Sequence, residues 1–217
     1  GSGLKSVILG AQSVALGENS IVIAGGQENM SASKHALYAR EKKMGNITAL
    51  DMMLNDGLMD FFNNCHMGIT AENVAKTYKV SREEQDAFAY NSQLKASKAQ
   101  KESKFKEEII PIKTKKGEFF EDEFIRHDAD LKKMATLKPA FDKEGTVTAG
   151  NASGINDGAA IVLLADSDSI AKYSLKPMAK IISYGVSGVD PSIMGIGPVD
   201  AVKHAIKKAG WTLSDVD

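Results

Sequence analysis

The chain has 217 residues, and its 43% hydrophobic content is enough for one large or two small globular domains. Lysine and arginine number 27 against 28 aspartates and glutamates, so charge gives no reason to expect a nucleic acid or a membrane surface as partner. The single cysteine, Cys65, excludes an internal disulfide framework and fits a reducing compartment. With no apolar run of membrane-spanning length and no recognisable signal peptide, we expect a cytoplasmic protein.

The first predicted element is a helix at residues 1–15. Apolar residues recur at helical spacing from Leu4 to Ala15 and give this segment one apolar face. A residue before Gly1 would lie at the helix N-terminus, where unpaired N–H groups and the macrodipole favour a negative charge such as a thiolate. The alternative is that Gly1 and Ser2 are a cloning remnant.

A predicted strand follows at residues 21–26, where a short β-branched run ends in paired glycines. Residues 34–60 are rich in methionine and charge but have no sustained period. We interpret them as an excursion from the sheet that serves assembly, ending in a helix-like segment at 54–62.

Two helices are predicted next. Ser81 with Glu84 three residues later is a capping box, and it predicts the start of a helix over 81–104. Thr70 begins an earlier helix in a similar way, which would place His66 and Met67 just ahead of its N-terminus. A lone histidine at such a position is either a hydrogen-bonded structural residue or a catalyst, and the local sequence favours the structural role.

Residues 105–130 alternate as strands do, around a predicted turn at Lys116 and Gly117. Arg126 belongs to a small basic cluster that could meet a phosphate. The competing interpretation is the solvated edge of a hairpin. The other members of the cluster are His127, Lys132 and Lys133.

Small residues dominate from Gly150 to Gly158, so the backbone there can pass close to another segment or to a ligand. The apolar run at 159–165 has the composition of a fully buried strand in a sheet covered on both faces. We interpret the pair as a ligand loop fixed to a core strand, against the alternative of a glycine-rich turn. Short polar groups on this loop come from Asn151, Ser153, Asn156 and Asp157.

After this strand the pattern predicts a helix at 167–172, a strand at 179–188 and a helix at 199–209. Residues 214–217 look like the approach to another strand. Both ends of the sequence therefore read as interior to a larger fold.

The order and spacing of six segments resemble the thiolases, and most closely the biosynthetic acetyl-CoA acetyltransferases among them. This resemblance covers the whole chain and implies a layered α/β/α/β/α fold, with mixed five-stranded sheets and an inserted loop domain, incomplete here. The segments are GSGLKSV, GGQENMS, CHMGITAENVA, LKPAF, TVTAGNASGINDGAA and MGIGPVDA.

The resemblance also implies a domain organisation. Residues 1–26 and 156–176 would belong to the core of the first half, the N-terminal thiolase domain. Residues 27–155 would form the loop domain, used in substrate binding and assembly. Residues 177–217 would begin the C-terminal thiolase domain.

The activity implied by the resemblance is a reversible Claisen condensation of two acetyl-CoA molecules through an acyl-cysteine. The nucleophilic cysteine is expected immediately before Gly1, and the histidine and second cysteine are expected after Asp217. No catalytic residue is therefore expected among these 217 residues, which should be inactive alone. The alternatives are a degradative 3-ketoacyl-CoA thiolase and a non-catalytic coenzyme A binding or assembly fragment.

Substrate-binding residues are also implied by the resemblance. His66 and Met67 would face the acyl and pantetheine end of coenzyme A, Arg126 the adenine and ribose phosphate end, and Met194 would border the acyl pocket. Cys65 is not the nucleophile, and we expect a buried or semi-buried thiol. Coenzyme A is substrate or product, no cofactor or metal is expected, and the protein would be a homo-oligomer, a tetramer or a dimer. The residues matching the pantetheine channel are Phe141, Ala149, Ser153, Gly154 and Ile155.

Overall fold

A computed structural model gives the fold, and it describes residues 1–40, 43–115 and 117–217. Helices and strands are mixed along the chain. No helix within the described ranges is both long and apolar enough to cross a membrane. The α-helices are α1 Ser2–Ala15, α2 Met67–Tyr78, α3 Arg82–Lys101, α4 Leu131–Ala135, α5 Ser167–Lys172 and α6 Gly197–Ala209. The strands are β1 Ile21–Asn29, β2 His35–Leu37, β3 Ala49–Asp51, β4 Met59–Asp60, β5 Cys65–His66, β6 Ile112–Thr114, β7 Gly117–Phe119 and β8 Asp157–Ala165.

The chain folds into two compact units. The predicted domain boundaries, at 26, 155 and 176, remain predictions. The first unit comprises Gly1–Gly57, Ile155–Asp190 and Met194–Asp217, and the second comprises Leu58–Gly154 and Pro191–Ile193.

In the first unit α1 lies on the antiparallel pair β1 and β8, and the predicted helix at the start of the chain is confirmed. The ladder runs from Ile21 opposite Ala165 to Asn29 opposite Asp157. A Cβ on Gly10 would lie 2.9 Å from a methyl of Leu164, so glycine lets the helix approach the sheet this closely.

The expectation that residues 159–165 form a fully buried strand is wrong for this chain. The strand forms, but the side chains of Ile161 and Leu163 are 73% and 55% exposed. Full burial needs a neighbour on each side and a layer over each face, whereas β8 pairs with one strand, β1, in the part of the chain that the structure describes. The four sheets of the described residues have two strands each, which agrees with the expectation that the five-stranded sheets are incomplete in this chain.

Residues 179–188 do not form the predicted strand in the described structure. They run along α6 instead: the Ser183 hydroxyl donates to the carbonyl of Ala205 at 2.6 Å. A Cβ on Gly185 would lie closer than 3.0 Å to the backbone of Ala201, so the segment packs directly on the helix. Leu213–Asp215 is a 3₁₀ turn, and the strand expected after 214–217 remains a prediction.

The excursion at 34–60 contains short regular elements. Strands β2 and β3 pair, and a π-helical turn, Met53–Leu58, then leads into β4, so the helix-like prediction for 54–62 is only partly right. Residues 41 and 42, within this excursion, lie outside the described residues.

In the second unit, side chains from α2 and α3 hydrogen-bond to the loop at 146–154. The predicted capping box is confirmed, because the Ser81 hydroxyl accepts from the Glu84 N–H and the Glu84 carboxylate accepts from the Ser81 N–H. The predicted hairpin forms as β6 and β7, with Ile112 opposite Phe119. Lys116, assigned to its turn, lies outside the described residues.

The N-cap of α2 lies four residues earlier than predicted. The helix begins at Met67, and His66 is its N-cap. Thr70 lies inside the first turn at 1% exposure, where its hydroxyl donates to the carbonyl of Met67 at 2.7 Å. A histidine cap therefore takes the role that sequence reasoning gave to the threonine.

Candidate functional site

The glycine-rich loop at 146–154 is fixed at its start by the Glu72 side chain from α2. The carboxylate of Glu72 accepts the backbone N–H of Thr146 at 2.9 Å and that of Val147 at 2.8 Å. Across the loop, the N–H of Ala140 donates to the carbonyl of Val147 at 2.8 Å. The loop is thus a braced structure whose backbone donors are satisfied by a charged acceptor.

A second brace joins the loop to α3. The side-chain amide of Asn151 donates to the Asp86 carboxylate at 2.9 Å, and its oxygen accepts from the Thr148 N–H at 2.7 Å. Asp86, 2% exposed, also pairs with Arg82 at 2.7 Å. Because both amide atoms of Asn151 are engaged in this way, we assign this loop residue to positioning and not to ligand contact.

The imidazole of His66 is held in one orientation. Its Nδ1 accepts the N–H of Gly68 at 2.9 Å, so the neutral ring carries its proton on Nε2. Nε2 has no hydrogen-bond partner among the residues that the structure describes. The ring stacks on Phe141, with the two centroids 4.5 Å apart and the planes at 21°. A fixed donor beside Met67 is what binding a carbonyl oxygen requires.

Phe141 reaches His66 because of Gly68. A Cβ built on Gly68 would lie closer than 3.0 Å to Cγ, Cδ1 and Cδ2 of Phe141, so the ring lies directly on the Gly68 backbone. This is how the structure brings His66 and Phe141, distant in sequence, into contact.

Arg126 and Gly154 are brought together by a residue that sequence reasoning missed, Phe124. A Cβ on Gly154 would lie closer than 3.0 Å to the edge of the Phe124 ring. The guanidinium carbon of Arg126 lies 6.0 Å from the centroid of the same ring, while its backbone N–H donates to Gln93 Oε1 at 2.8 Å. The available signal for Phe124 was the strand-like alternation of the sequence at 105–130, because residues two apart share a face in a strand.

One other member of the predicted basic cluster has a side-chain partner. The Nδ1 of His127 lies 2.7 Å from the Ser97 hydroxyl. Lys132 and Lys133 lie in the first turn of α4, where their backbone N–H groups donate to the Asp130 carboxylate. Arg126 is exposed, as are both lysines, so all three can be reached from solvent.

The remaining predicted site residues are divided between the two units. Ala149 and Ser153 are exposed in the second unit, whereas Ile155 and Met194 belong to the first unit and are 56% and 41% exposed. Cys65 is half-buried in β5, as expected. Across the described ranges, no group of three or more histidine, cysteine, aspartate or glutamate side chains is arranged to hold a metal ion.

The carboxyls with shifted pKa values lie outside this site. Hydrogen bonds from the hydroxyl and N–H of Ser31 lower the pKa of Asp157, and the N–H and hydroxyl of Ser169 lower that of Asp166. The N–H and hydroxyl of Thr212 lower the pKa of Asp215 in the same way. Asp157 begins β8, Asp166 caps α5 and Asp215 lies in a 3₁₀ turn, so we give all three structural roles.

Residues 1–168 match the thiolase N-terminal domain and residues 175–217 match the thiolase C-terminal domain. The chain belongs to the thiolase family. The resemblance read from the sequence is thereby confirmed.

Curated relatives and solved structures agree with this assignment. The chain is 56% identical, over its whole length, to acetyl-CoA acetyltransferase of Paracoccus denitrificans, and 52% identical to cytosolic acetyl-CoA acetyltransferase of Rattus norvegicus. It covers 57% and 56% of those two proteins, so this thiolase chain spans little more than half the length of its relatives.

Among solved structures, the human mitochondrial 3-ketoacyl-CoA thiolase in complex with CoA matches with a TM-score of 0.95 at 41% identity. Acetyl-CoA acetyltransferase of Bacillus anthracis matches with a TM-score of 0.91, also at 41% identity. The match covers all of this chain and 55% or 56% of those chains. The mixed α/β thiolase fold is therefore confirmed.

Proposed function

We propose that the protein containing this chain is an acetyl-CoA C-acetyltransferase, which condenses two acetyl-CoA molecules to acetoacetyl-CoA and coenzyme A. The observation that carries the proposal is 56% identity over the entire chain to an enzyme of that name. The reaction is reversible, and an acyl-cysteine divides it into two transfers.

In the proposed mechanism a cysteine thiolate attacks the thioester carbonyl of the first acetyl-CoA and releases coenzyme A. A base then removes a proton from the methyl group of the second acetyl-CoA. The resulting carbanion attacks the acyl-cysteine, which forms the new carbon–carbon bond and releases the thiolate. We assign the nucleophile to the position before Gly1, and the histidine and second cysteine to positions after Asp217.

The start of α1 supports this assignment of the nucleophile. The helix begins at Ser2 after Gly1, and no side chain caps its first N–H groups. A thiolate placed just ahead would be stabilised by these donors and by the helix macrodipole, which lowers the pKa of such thiols.

We further propose that the described residues supply contacts to coenzyme A. The Nε2–H of His66 and the side chain of Met67 would meet the acyl and pantetheine end, as would Phe141 and Met194. The exposed Arg126 guanidinium would meet the adenine and ribose phosphate end. The backbone at 149–155 would line the pantetheine arm, because Ala149, Ser153, Gly154 and Ile155 present little bulk or an exposed apolar surface.

A degradative 3-ketoacyl-CoA thiolase is the alternative: the human mitochondrial enzyme of that name matches in fold at 41% identity, against 56% identity to an acetyl-CoA acetyltransferase. A thiolysis assay of the purified enzyme that contains this chain distinguishes the two functions by comparing short and long substrates. We expect efficient cleavage of acetoacetyl-CoA and at least about tenfold lower kcat/KM for 3-ketohexadecanoyl-CoA. Preference for the long chain would establish the degradative reaction, and coenzyme A binding without any cleavage would establish the non-catalytic alternative.

We also propose a cytoplasmic homo-oligomer, a tetramer or a dimer. Support for the location comes from the relatives named cytosolic, 52% identical to this chain. Light scattering of the purified enzyme tests the oligomer, and a monomer at micromolar concentration would contradict it.

A further inference from the structure

Gly68 is a glycine at a position where alanine would ordinarily be better. It is the second residue of α2, it is buried, and it has no positive φ that would call for glycine. Within a helix alanine is favoured over glycine by about 1 kcal/mol. Something other than backbone conformation must therefore explain the residue.

The Phe141 ring supplies the explanation. A Cβ on Gly68 would come closer than 3.0 Å to three ring atoms, and one of them is Cγ, where the ring joins its own chain. A ring edge could swing aside, but Cγ moves only if the whole side chain changes rotamer. A single methyl group would thus displace the Phe141 ring entirely.

The same glycine also fixes the other ring of the pair. Its N–H donates to Nδ1 of His66 at 2.9 Å, which orients the imidazole that stacks on Phe141 at 4.5 Å. Gly68 therefore fixes the positions of both rings. Its N–H orients the His66 imidazole, and its lack of a side chain leaves room for the Phe141 ring. Neither placement is set by the rings themselves, because stacking alone contributes only about 0.5–1.5 kcal/mol.

We propose that Gly68 is a positioning residue for the acyl and pantetheine end of the coenzyme A site, acting through Phe141 and His66. This inference rests on the proposed function, because that function makes the two rings ligand contacts. With a methyl group at position 68, the Phe141 ring must leave its stack on His66. Substrate binding is then impaired, while groups elsewhere that carry out the chemical step are left unchanged.

The test uses the full-length enzyme and the Gly68→Ala variant. We expect KM for acetoacetyl-CoA to rise about tenfold, with kcat changed by less than about twofold. The matched control is Gly57→Ala, since a Cβ there has nothing within 4 Å, and its KM should equal that of the wild type. An unchanged KM in a folded Gly68→Ala variant would overturn the proposal.

A double-mutant cycle shows whether the ring is the intermediary. Phe141→Ala has its own effect on KM, but adding Gly68→Ala to it should change KM by less than about twofold further, because alanine lacks the Cγ and Cδ atoms that clash. Equal effects of alanine in both backgrounds would overturn the proposal. If Gly68→Ala alone does not fold, the double variant must fold, and failure of both would equally refute it.

A readout without activity separates this inference from the proposed function. Proton resonances of the His66 imidazole carry a ring-current shift from stacked Phe141, and Gly68→Ala and Phe141→Ala should abolish the same shift. If the enzyme lacks thiolase activity but both variants lose the ring-current shift, Gly68 does position the two rings and the proposed function is wrong. If activity is present and the resonances stay fixed in Gly68→Ala, the positioning geometry is wrong.

Discussion

Two phenylalanine rings each lie on a glycine backbone and each contact a polar residue predicted to bind coenzyme A, but the two arrangements differ in rigidity. The Phe141 ring packs against Gly68 of α2 and stacks on His66, which is fixed as the N-cap of the same helix. Phe124 lies in a segment without regular secondary structure, its side chain is 40% exposed, and its ring centroid is 6.0 Å from the guanidinium carbon of Arg126. The Phe141 ring is half-buried against a fixed imidazole, whereas the exposed Phe124 ring can move into solvent. We therefore expect a rigid acyl end and an adaptable phosphate end of the same site.

The largest expected effect comes from breaking the brace under the loop that carries Gly154. Asp86→Ala leaves Arg82 and the Asn151 amide without their carboxylate, in a position that is almost fully buried. We expect a loss of about 3 kcal/mol in the free energy of unfolding, measured by urea denaturation. The control is Asp200→Ala, because its salt bridge with Lys203 is exposed and should contribute less than about 1 kcal/mol. Equal losses in the two variants would show that the network does not brace the loop.

Gly154→Val should have a smaller effect and should test the adaptable end. The valine would displace the Phe124 ring and narrow the proposed pantetheine channel, so KM for acetyl-CoA should rise several fold while the fold survives. Because the exposed ring can swing outward, the rise should be smaller than that caused by Gly68→Ala. Unchanged kinetics in a folded variant would mean that this glycine serves the turn alone.

Arg126→Ala should weaken coenzyme A binding by several fold with kcat nearly constant. An exposed guanidinium facing phosphate contributes on the order of 1 kcal/mol, and the loss should shrink as ionic strength rises. Calorimetric titration with coenzyme A and with its form lacking the 3′-phosphate identifies the partner. An equal loss of affinity for both forms would indicate that Arg126 stacks on adenine. No loss of affinity for either form would mean that Arg126 is a solvated residue without a role in binding.

The smallest effect is a pH dependence at an exposed carboxylate. Hydrogen bonds from the Ser31 hydroxyl and N–H lower the folded-state pKa of Asp157 below its ordinary value of 3.8. The stabilisation is therefore complete above pH 3.8 and is lost as the pH falls through the lower folded-state value. Asp157→Asn should melt slightly below the wild type at pH 6, and the gap should close in acid. A gap that persists or widens in acid would contradict this linkage.

The sequence predicted what short-range chemistry decides. The helix at 1–15 and the Ser81 capping box depend on neighbours a few residues away, and both are confirmed. The strand at 179–188 was wrong because a strand needs a ladder partner, and here the segment packs on α6.

The candidate site shows the same limit. His66 was expected ahead of a helix that Thr70 begins, but its ring is the cap, because a hydrogen-bonding Nδ1 can take the place of an oxygen. Phe124 was missed because its contact with Gly154 joins residues far apart in the chain. The family's motif identifies residues near the ligand, whereas the contacts that hold them appear only once the chain is folded.

The measurement that tests the account most directly is a crystal structure of the full-length enzyme with bound acetyl-CoA. The account predicts the thioester end beside His66 and Met67, the pantetheine arm along Ser153 and Gly154, and the ribose phosphate end at Arg126. A ligand bound in the opposite direction, or one that leaves the loop at 146–154 untouched, would contradict it.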